Sequence, residues 1–303
     1  MNINASLAPP PRFLMCRPLH FAVAYSINPW MDPAAWREGS RALHTTAVRQ
    51  WQDLHRALAM HGAAMEFVEP QAGLPDLVFT ANAAVVLDGK ALLARFRHDE
   101  RRVEEPHFAA AFRALAARGL IAEVIAPQRA PALEGAGDCV WDAQRKQFWM
   151  GFGFRSDHAA HRLVEETFGV PCIPLALTDP KHYHLDTAFG ALPCGTVMYY
   201  PRAFSAKALA AIHANTTPDQ RIALDASDAA AFAANSVCVG RRIVLSSCGA
   251  ALAATLKERG YTVVQTPLAA FLRSGGSACC LTLRLDHRAH AAHAVLTGAN
   301  PAS

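Results

Sequence analysis

A cysteine, a histidine and two acids beside glycines have the residue types that covalent catalysis needs. Cys280 ends a Gly-Gly-Ser-Ala-Cys-Cys sequence, and His184 stands two residues before an aspartate. Glu134 and Asp138 flank a Gly-Ala-Gly turn. A thiol can attack an electrophilic carbon, an imidazole can move the protons, and an acid can orient the imidazole. These residues predict an active site if the fold brings them together.

A recurring unit of roughly fifty residues supplies elements that could position these side chains. Each unit contains an alanine-rich amphipathic segment, a turn, a short apolar strand, an irregular polar stretch and two strands around a turn. Asp88-Gly89, between two apolar runs, is a strong hairpin signal of this kind. In the third copy, the strand predicted over 183–189 carries the histidine. Five copies are found, the last of them partial, with helical segments over 42–60, 108–118, 158–168, 205–215 and 250–259.

Equivalent units would place all of their polar stretches at the same end of the assembly. Residues far apart in the sequence would then be neighbours: Asp76, Asn82, Glu134, Asp138, His184, Asp186, Asn235 and Cys280. The alternative is that they are unrelated turn residues, since Asp and Asn are common in turns. A nucleophile, a base and acids at matching places favour one shared pocket.

The composition is typical of a globular enzyme. The chain has 303 residues, 52% of them hydrophobic, so we predict a single domain of five repeats over residues 1–303. The net charge is only +4 and the basic residues are scattered, which argues against a nucleic-acid partner. No stretch approaches the ~20 apolar residues of a membrane span, and residues 1–12 lack a leader pattern. We expect no membrane partner and a cytoplasmic location, whereas the oligomeric state does not follow from the sequence.

The cysteines do not form a metal or disulfide pattern. No two of them make a C-x-x-C pair, and the chain has no H-E-x-x-H sequence. It also lacks a glycine-rich phosphate loop and a dinucleotide fingerprint. We therefore expect neither a metal nor a cofactor. Most cysteines should be small buried hydrophobic residues; the eight are Cys16, Cys139, Cys172, Cys194, Cys238, Cys248, Cys279 and Cys280.

Five segments, in order along nearly the whole chain, resemble the guanidino-modifying superfamily. That superfamily includes arginine deiminases, dimethylarginine dimethylaminohydrolases, amidinotransferases and bacterial arginine dihydrolases. The resemblance implies an α/β fold, a five-bladed α/β propeller called a pentein, in agreement with the repeat. It also implies cysteine-dependent hydrolysis of a guanidinium C–N bond through a covalent thiouronium intermediate, with arginine or a derivative as the small-molecule substrate. The segments are 14–18, 76–83, 134–138, 184–187 and 275–282.

The resemblance identifies the nucleophile and the general acid and base. Cys280 is followed by Leu and Thr, as the family motif requires, and Cys279 does not fit. On a strand, adjacent side chains point to opposite faces, so only one of the two can enter a pocket. His184 has the family's His-x-Asp sequence, whereas His182 does not, although on a strand both would share a face.

Two acids are linked to the family motif, and two more are expected from their charge. Glu134 resembles the family residue that orients the histidine and stabilises its cation. The motif Glu-Gly-Ala-Gly-Asp is one residue longer than in the deiminases, which leaves the division of labour between Glu134 and Asp138 open. Asp76 and Asp186 are the expected anchors of the guanidinium, because a carboxylate accepts two of its parallel N–H donors.

Arginines are expected at the amino-acid end of the substrate, where the charge is opposite. Arg155 resembles a family arginine that holds the substrate carboxylate, and Arg101 resembles a second, although Arg102 could take that role. The segment 15–18, Met-Cys-Arg-Pro, resembles the mobile lid that closes over the substrate in relatives.

The product is expected to depend on Asn82, which replaces a carboxylate of the deiminases and dimethylarginine hydrolases. An amide has both an acceptor and a donor, so it can also hold the neutral ureido group of citrulline. Thr80-Ala81-Asn82 resembles the bacterial arginine dihydrolases, which carry arginine through to ornithine, ammonia and CO2. A dimethylarginine hydrolase that releases dimethylamine, an amidinotransferase and a non-catalytic arginine-binding protein stay open as alternatives.

Overall fold

Short strands and helices alternate through the part of the chain that the structure describes. The structure is a computed structural model and describes residues 10–127 and 130–289. The ends of the predicted domain, 1–9 and 290–303, therefore lie outside the described residues. The strands are β1 Arg12–Cys16, β2 Ala64–Val68, β3 Ala84–Leu87, β4 Lys90–Leu93, β5 Glu123–Ile125, β6 Cys139–Asp142, β7 Gln147–Phe152, β8 Cys172–Ala176, β9 Phe189–Ala191, β10 Val197–Tyr199, β11 Arg221–Ala223, β12 Val237–Val239, β13 Arg242–Leu245, β14 Thr262–Gln265 and β15 Leu283–Arg284. The α-helices are α1 Pro33–Glu38, α2 Ser40–Met60, α3 Asp99–Arg102, α4 Glu105–Ala117, α5 Ala160–Phe168, α6 Ala206–Ala214, α7 Ala226–Ala230, α8 Ala250–Glu258 and α9 Ala269–Leu272.

The strands form five sheets of three strands, each with the same pairing. In four of them an antiparallel hairpin is followed by a helix and a third strand, which pairs in parallel with the second strand of the hairpin. These sheets are β3-β4-β5, β6-β7-β8, β9-β10-β11 and β12-β13-β14. Their common pattern fits the fivefold repeat of the sequence. The strand after each helix thus completes the sheet of the preceding hairpin.

The fifth sheet joins the two ends of the chain. Its order is β15-β1-β2, with β15 antiparallel to β1 and β1 parallel to β2. Leu14 pairs with Leu283, and Arg12 pairs with Ala64. The repeat that is only partial in the sequence is therefore completed by N-terminal strands.

The two longest helices each bury one apolar stripe. On α2 the stripe is Trp51, Leu54 and Leu58, at the three- and four-residue spacing of one helix face. On α4 it is Phe108, Phe112 and Leu115. No helix among the described residues is long and apolar enough to cross a membrane.

The polar stretches precede the first strands of the sheets as short 3₁₀ turns. Pro75–Val78 and Thr80–Ala83 lead into β3, Gly135–Gly137 into β6 and Leu185–Thr187 into β9. The strand expected over 183–189 is wrong, since only Phe189–Ala191 is extended. In a strand, successive side chains would point to opposite faces of the sheet. In the turns, several side chains instead point toward the same pocket.

Candidate active site

The polar stretches surround a small buried pocket with about 270 Å³ of empty volume. Residues far apart in the sequence, from Ile27 to Cys280, contribute to it. Its lining is Ile27, Asn28, Asp76, Phe79, Asn82, Arg101, Arg155, Tyr183, His184, Ser274, Gly276 and Cys280. The pocket therefore brings together the cysteine, the histidine, an acid, the amide and both arginines expected from the sequence.

Cys280 reaches the pocket through a tight glycine turn. Gly275 has φ +77°, and a side chain on Gly276 would run into the ring of Phe79. The Cys280 Sγ accepts from the Asn235 Nδ2 at 3.0 Å and lies 3.3 Å from the Asp186 Oδ2. Burial, together with the charge of Asp186, raises the pKa of this thiol well above its usual value. In the free protein the sulfur is therefore a thiol that donates to Asp186.

His184 is held by a buried carboxylate. The Nε2 of its imidazole ring lies 2.7 Å from the Oε2 of Glu134. The ring nitrogen that Glu134 does not contact is therefore Nδ1. The same Oε2 accepts from the Nη1 of Arg155 at 3.0 Å. Burial alone would raise the pKa of Glu134, but Arg155 and His184 outweigh it and hold that pKa well below its usual range. Glu134 is thus a carboxylate ready to stabilise an imidazolium.

Arg155 contacts more than the acid. Its guanidinium stacks on the ring of Tyr183, 4.4 Å from the centroid, and its Nη2 donates to the carbonyl of Ile27 at 3.0 Å. Of its five N–H groups, one donates to Glu134 and one to the carbonyl of Ile27. The other three have no hydrogen-bond partner among the described residues. Arg155 can therefore orient Glu134 and still present donors to the pocket.

The orientation of the Asn82 amide follows from its neighbours. Arg101 can only donate, and its Nη1 lies 2.8 Å from the amide oxygen. The carbonyl of Glu134 can only accept, and it lies 3.3 Å from the amide nitrogen. A side chain on Gly137 would overlap that nitrogen. The longer Gly-Ala-Gly turn thus has the room that this amide requires.

Arg101 is fixed by a buried ion pair with Glu104, a residue that no sequence motif had indicated. Glu104 is fully buried and accepts from the Nε of Arg101 at 3.1 Å and from its Nη2 at 2.8 Å. The second Nη2 hydrogen reaches the carbonyl of Asp76 at 3.1 Å. With Nη1 also bonded to Asn82, a single N–H is left without a partner among the described residues.

The three aspartates occupy different places. Asp76 lines the pocket and accepts from the hydroxyls of Tyr25 at 2.9 Å and Ser274 at 3.4 Å; burial raises its pKa. Asp186 lies beside the thiol, and burial raises its pKa to about 7. Asp138, expected at the substrate, lies behind the pocket. Its Oδ2 accepts from the Ser156 hydroxyl at 2.6 Å, and its Oδ1 accepts from the N–H of Leu185 at 3.0 Å.

The backbone donor to Asp138 is the N–H of Leu185, the residue directly before Asp186. The hydroxyl that Asp138 binds belongs to Ser156, which also accepts from the N–H of Glu134 at 2.9 Å. Asp138 therefore connects the turn that carries Glu134 to the turn that carries His184. Burial raises its pKa to about 6.

Three residues that the sequence offered as alternatives lie outside the pocket. Cys279 faces away from it, next to the nucleophile candidate. His182 is buried, with its Nδ1 3.2 Å from the carbonyl of Thr187. Arg102 binds Asp99 at the surface, at 2.6 Å.

The segment expected to be the lid is not the one that covers the pocket. Met15 and Cys16 are buried in β1. The covering segment is instead 25–30, in which Ile27 and Asn28 line the pocket. Asn28 donates to the carbonyl of Ser274 at 3.1 Å, and the indole of Trp30 donates to the carbonyl of residue 181 at 2.8 Å.

Several residues of the site carried no recognisable signal in the sequence. Glu104 lies in a run of charged residues, which usually forms a solvated surface. Tyr25 and Ser274 lie in loops with no periodic pattern. Asn235 is an exception, because the repeat placed it among the neighbours of Cys280.

The chain is similar to known proteins over most of its length. A family model described as N,N-dimethylarginine dimethylhydrolase, eukaryotic, matches residues 21–286. The chain belongs to this family. The resemblance to guanidino-modifying enzymes is thereby confirmed.

Two of the similar curated proteins come from bacteria. The bifunctional arginine dihydrolase/ornithine cyclodeaminase AgrE of a Nostoc species is 41% identical over 274 residues, which cover 90% of this chain and 38% of AgrE. The dimethylarginine dimethylaminohydrolase of Mycobacterium tuberculosis is 36% identical, over 90% of this chain and 85% of that protein. The chain thus spans less than half the length of AgrE.

Solved structures show the same fold. A cysteine-to-serine variant of the N-terminal domain of the cyanobacterial arginine dihydrolase ArgZ, bound to substrate, has a TM-score of 0.86 and 38% identity. It covers 92% of this chain and 100% of that domain. An asparagine-to-serine variant of the same domain is covalently bound to a reaction intermediate, also at a TM-score of 0.86 and 38% identity, over 93% of this chain and 100% of that domain. The α/β fold of five small sheets is therefore the one that this chain shares with ArgZ.

Proposed function

We propose that the chain is a cysteine-dependent hydrolase that converts arginine to ornithine, ammonia and CO2. The observation that carries this proposal is the pocket itself, where Cys280, His184 and Asn82 line one buried space beside carboxylates. The arginine dihydrolase activity of the similar proteins AgrE and ArgZ supports it. We also propose that the five sheets form a five-bladed propeller within a single domain. A cytoplasmic location stays a prediction.

Substrate binding uses complementary charge at both ends. Asp76 and Asp186 flank the nucleophile and accept N–H donors of the guanidinium. Arg155 and Arg101 present their remaining N–H groups to the substrate carboxylate. Binding a cation next to Cys280 lowers the pKa of its thiol, which burial keeps high in the free protein.

The first half of each hydrolysis breaks the C–N bond. The Cys280 thiolate adds to the central guanidinium carbon. The imidazolium of His184, stabilised by Glu134, then gives a proton to the departing nitrogen, and ammonia leaves. The carbon stays bonded to sulfur as a thiouronium.

The second half restores the thiol. His184, now neutral, takes a proton from water, and the resulting hydroxide adds to the thiouronium carbon. The C–S bond breaks and citrulline is formed. A second round on the ureido group uses a second water and gives ammonia, CO2 and ornithine. Asn82 serves this round, because its amide can face the ureido group with both a donor and an acceptor.

Release of dimethylamine from dimethylarginine is the second candidate function. The family model and the Mycobacterium tuberculosis relative favour it. It would use the same cysteine, histidine and glutamate, with a different leaving group.

Product analysis tests the proposal. The purified protein is incubated separately with arginine, asymmetric dimethylarginine and citrulline, and the products are identified by mass spectrometry. We expect ornithine from arginine and two molecules of ammonia per arginine consumed. Citrulline as the final product would make the enzyme a deiminase. Dimethylamine from dimethylarginine, with arginine untouched, would support the second candidate.

A further inference from the structure

A second cavity lies between the first strands of the five sheets. It has about 920 Å³ of empty volume, more than three times that of the substrate pocket. All five of those strands contribute to its wall, and the residues include Val85, Cys139, Trp141, Phe189, Gly190, Val237, Cys238 and Leu283. We call it the central cavity. Because the polar stretches precede these strands, the central cavity extends from the substrate pocket along the inner strands.

The two cavities meet at the reaction centre. Asp186 lines the central cavity, and its Oδ2 is 3.3 Å from the Cys280 Sγ, which lines the substrate pocket. Cys279 and Ala136 also line the central cavity. Asp186, Cys279 and Ala136 are thus one or two positions away from His184, Cys280 and Glu134, respectively. We call the contact between Cys280 and Asp186 the partition between the two cavities.

Two buried residues in the wall of the central cavity have polar atoms that lack a partner. The Oδ1 of Asp186 and the Nε1 of Trp141 are buried, and neither has a hydrogen-bond partner among the described residues. Buried polar atoms in a roomy cavity are ordinarily satisfied by a small molecule such as water. Ammonia could serve equally, since it can donate to the carboxylate and accept from the indole.

The rest of the wall suits neutral molecules. It is mostly aliphatic, aromatic and thiol side chains, and a bare ion would be costly among them. The charge of Arg284 is balanced by Asp286, 2.9 Å away. Pro193 is exposed and Cys238 is half-buried, so the cavity reaches solvent at this side.

The mouth of the substrate pocket, in contrast, is covered by segment 25–30. Tyr25 binds Asp76, the carbonyl of Ile27 accepts from Arg155, and Trp30 binds the backbone beyond the pocket. In the proposed mechanism the first ammonia leaves while the carbon is still bonded to sulfur, but the second water has to enter when citrulline is bound without a covalent bond. Opening the mouth for that water would also let citrulline leave.

We propose that the central cavity is the route by which ammonia leaves and by which the second water reaches bound citrulline. This inference rests on the proposed dihydrolase function. It explains how citrulline can stay beneath segment 25–30 while both small molecules are exchanged behind the Cys280–Asp186 partition. The ligands of the cavity are therefore small, neutral hydrogen-bonding molecules.

Filling the cavity tests the route. Cys238→Phe places a ring in the cavity at a position outside the proposed catalytic groups, and Cys238→Ser is the matched control without added bulk. Each variant converts isotopically labelled arginine in the presence of a pool of unlabelled citrulline. We expect the wild type and Cys238→Ser to leave little label in the citrulline pool. Cys238→Phe should increase that label several-fold, because the second water must then enter through an opened mouth, by which citrulline leaves.

A second cavity-filling variant keeps the test informative if Cys238→Phe does not fold. Ala191→Leu adds bulk on another strand of the same wall. Circular dichroism and thermal unfolding establish that each variant is folded. If either folded variant retains citrulline as the wild type does, the route is overturned. If the wild type itself yields citrulline as its final product, the proposed function fails, and the route fails with it because citrulline need not be retained.

Discussion

Asn82→Asp should separate the two hydrolytic steps. The amide oxygen faces Arg101 at 2.8 Å and the amide nitrogen faces the carbonyl of Glu134 at 3.3 Å. A carboxylate keeps the first contact as an ion pair, but it replaces the second hydrogen bond with two facing acceptors. The attraction to Arg101 offsets part of that cost, so we expect the variant to fold.

The effect on the reaction depends on the charge of the bound group. The cationic guanidinium of arginine is attracted to an additional carboxylate, so the first step should be little affected. The neutral ureido group loses the donor that its oxygen needs. Leaving a buried acceptor unpaired costs about 1–3 kcal/mol, which corresponds to roughly a 5- to 150-fold loss in the second step.

The assay measures ammonia released per arginine consumed, with citrulline quantified by mass spectrometry. The wild type should release two molecules of ammonia and accumulate little citrulline, whereas Asn82→Asp should release one and accumulate citrulline. Asp76→Asn is the reciprocal control, because removing a carboxylate should weaken the first step more than the second. An Asn82→Asp enzyme that still makes ornithine at the wild-type rate would refute the reasoning.

Four further outcomes are expected. Cys280→Ser should abolish turnover and Cys279→Ser should not, as measured by kcat. His184→Ala should lose at least the ~10²–10⁴-fold credited to a general acid and base, whereas a larger loss in His182→Ala would reverse that assignment. The depressed pKa of Glu134 contributes stability above its unfolded value of about 4.3, and this stability is lost as the pH falls. Glu134→Gln should therefore lower Tm at neutral pH, with a difference that shrinks in acid. Chelator treatment should leave kcat unchanged, and restoration of lost activity by zinc or manganese would contradict a thiol mechanism.

The repeat was readable from the sequence because hydrophobic periodicity is a local property. It indicated the helices and most strands, and it predicted that Asp76, His184 and Cys280 would be neighbours. The fifth sheet was only partly predicted. Its pairing joins β15 to β1 across almost the whole chain, and nothing in either short segment specifies a partner so distant.

The details of the site were less accessible. Residues 183–188 have a strand-like alternation, yet they form turns because the buried partners of His184 and Asp186 determine their backbone. Glu104 stands among charged neighbours, and only the tertiary fold shows that it is buried against Arg101. The segment 25–30 has no periodic pattern, so its position over the pocket could not be derived from local sequence.

The protonation of the cysteine connects these features to the order of the two steps. In the free protein Cys280 is a buried thiol that donates to Asp186. Arginine, a cation, lowers the pKa of that thiol on binding, but citrulline is neutral and cannot. In the second step the thiol proton therefore needs a base. Asp186 contacts the thiol, and the pKa of its carboxyl group is about 7. Its second oxygen faces the central cavity, where water can receive the proton. Under the proposed function, one aspartate thus binds the cation in the first step and accepts the thiol proton in the second.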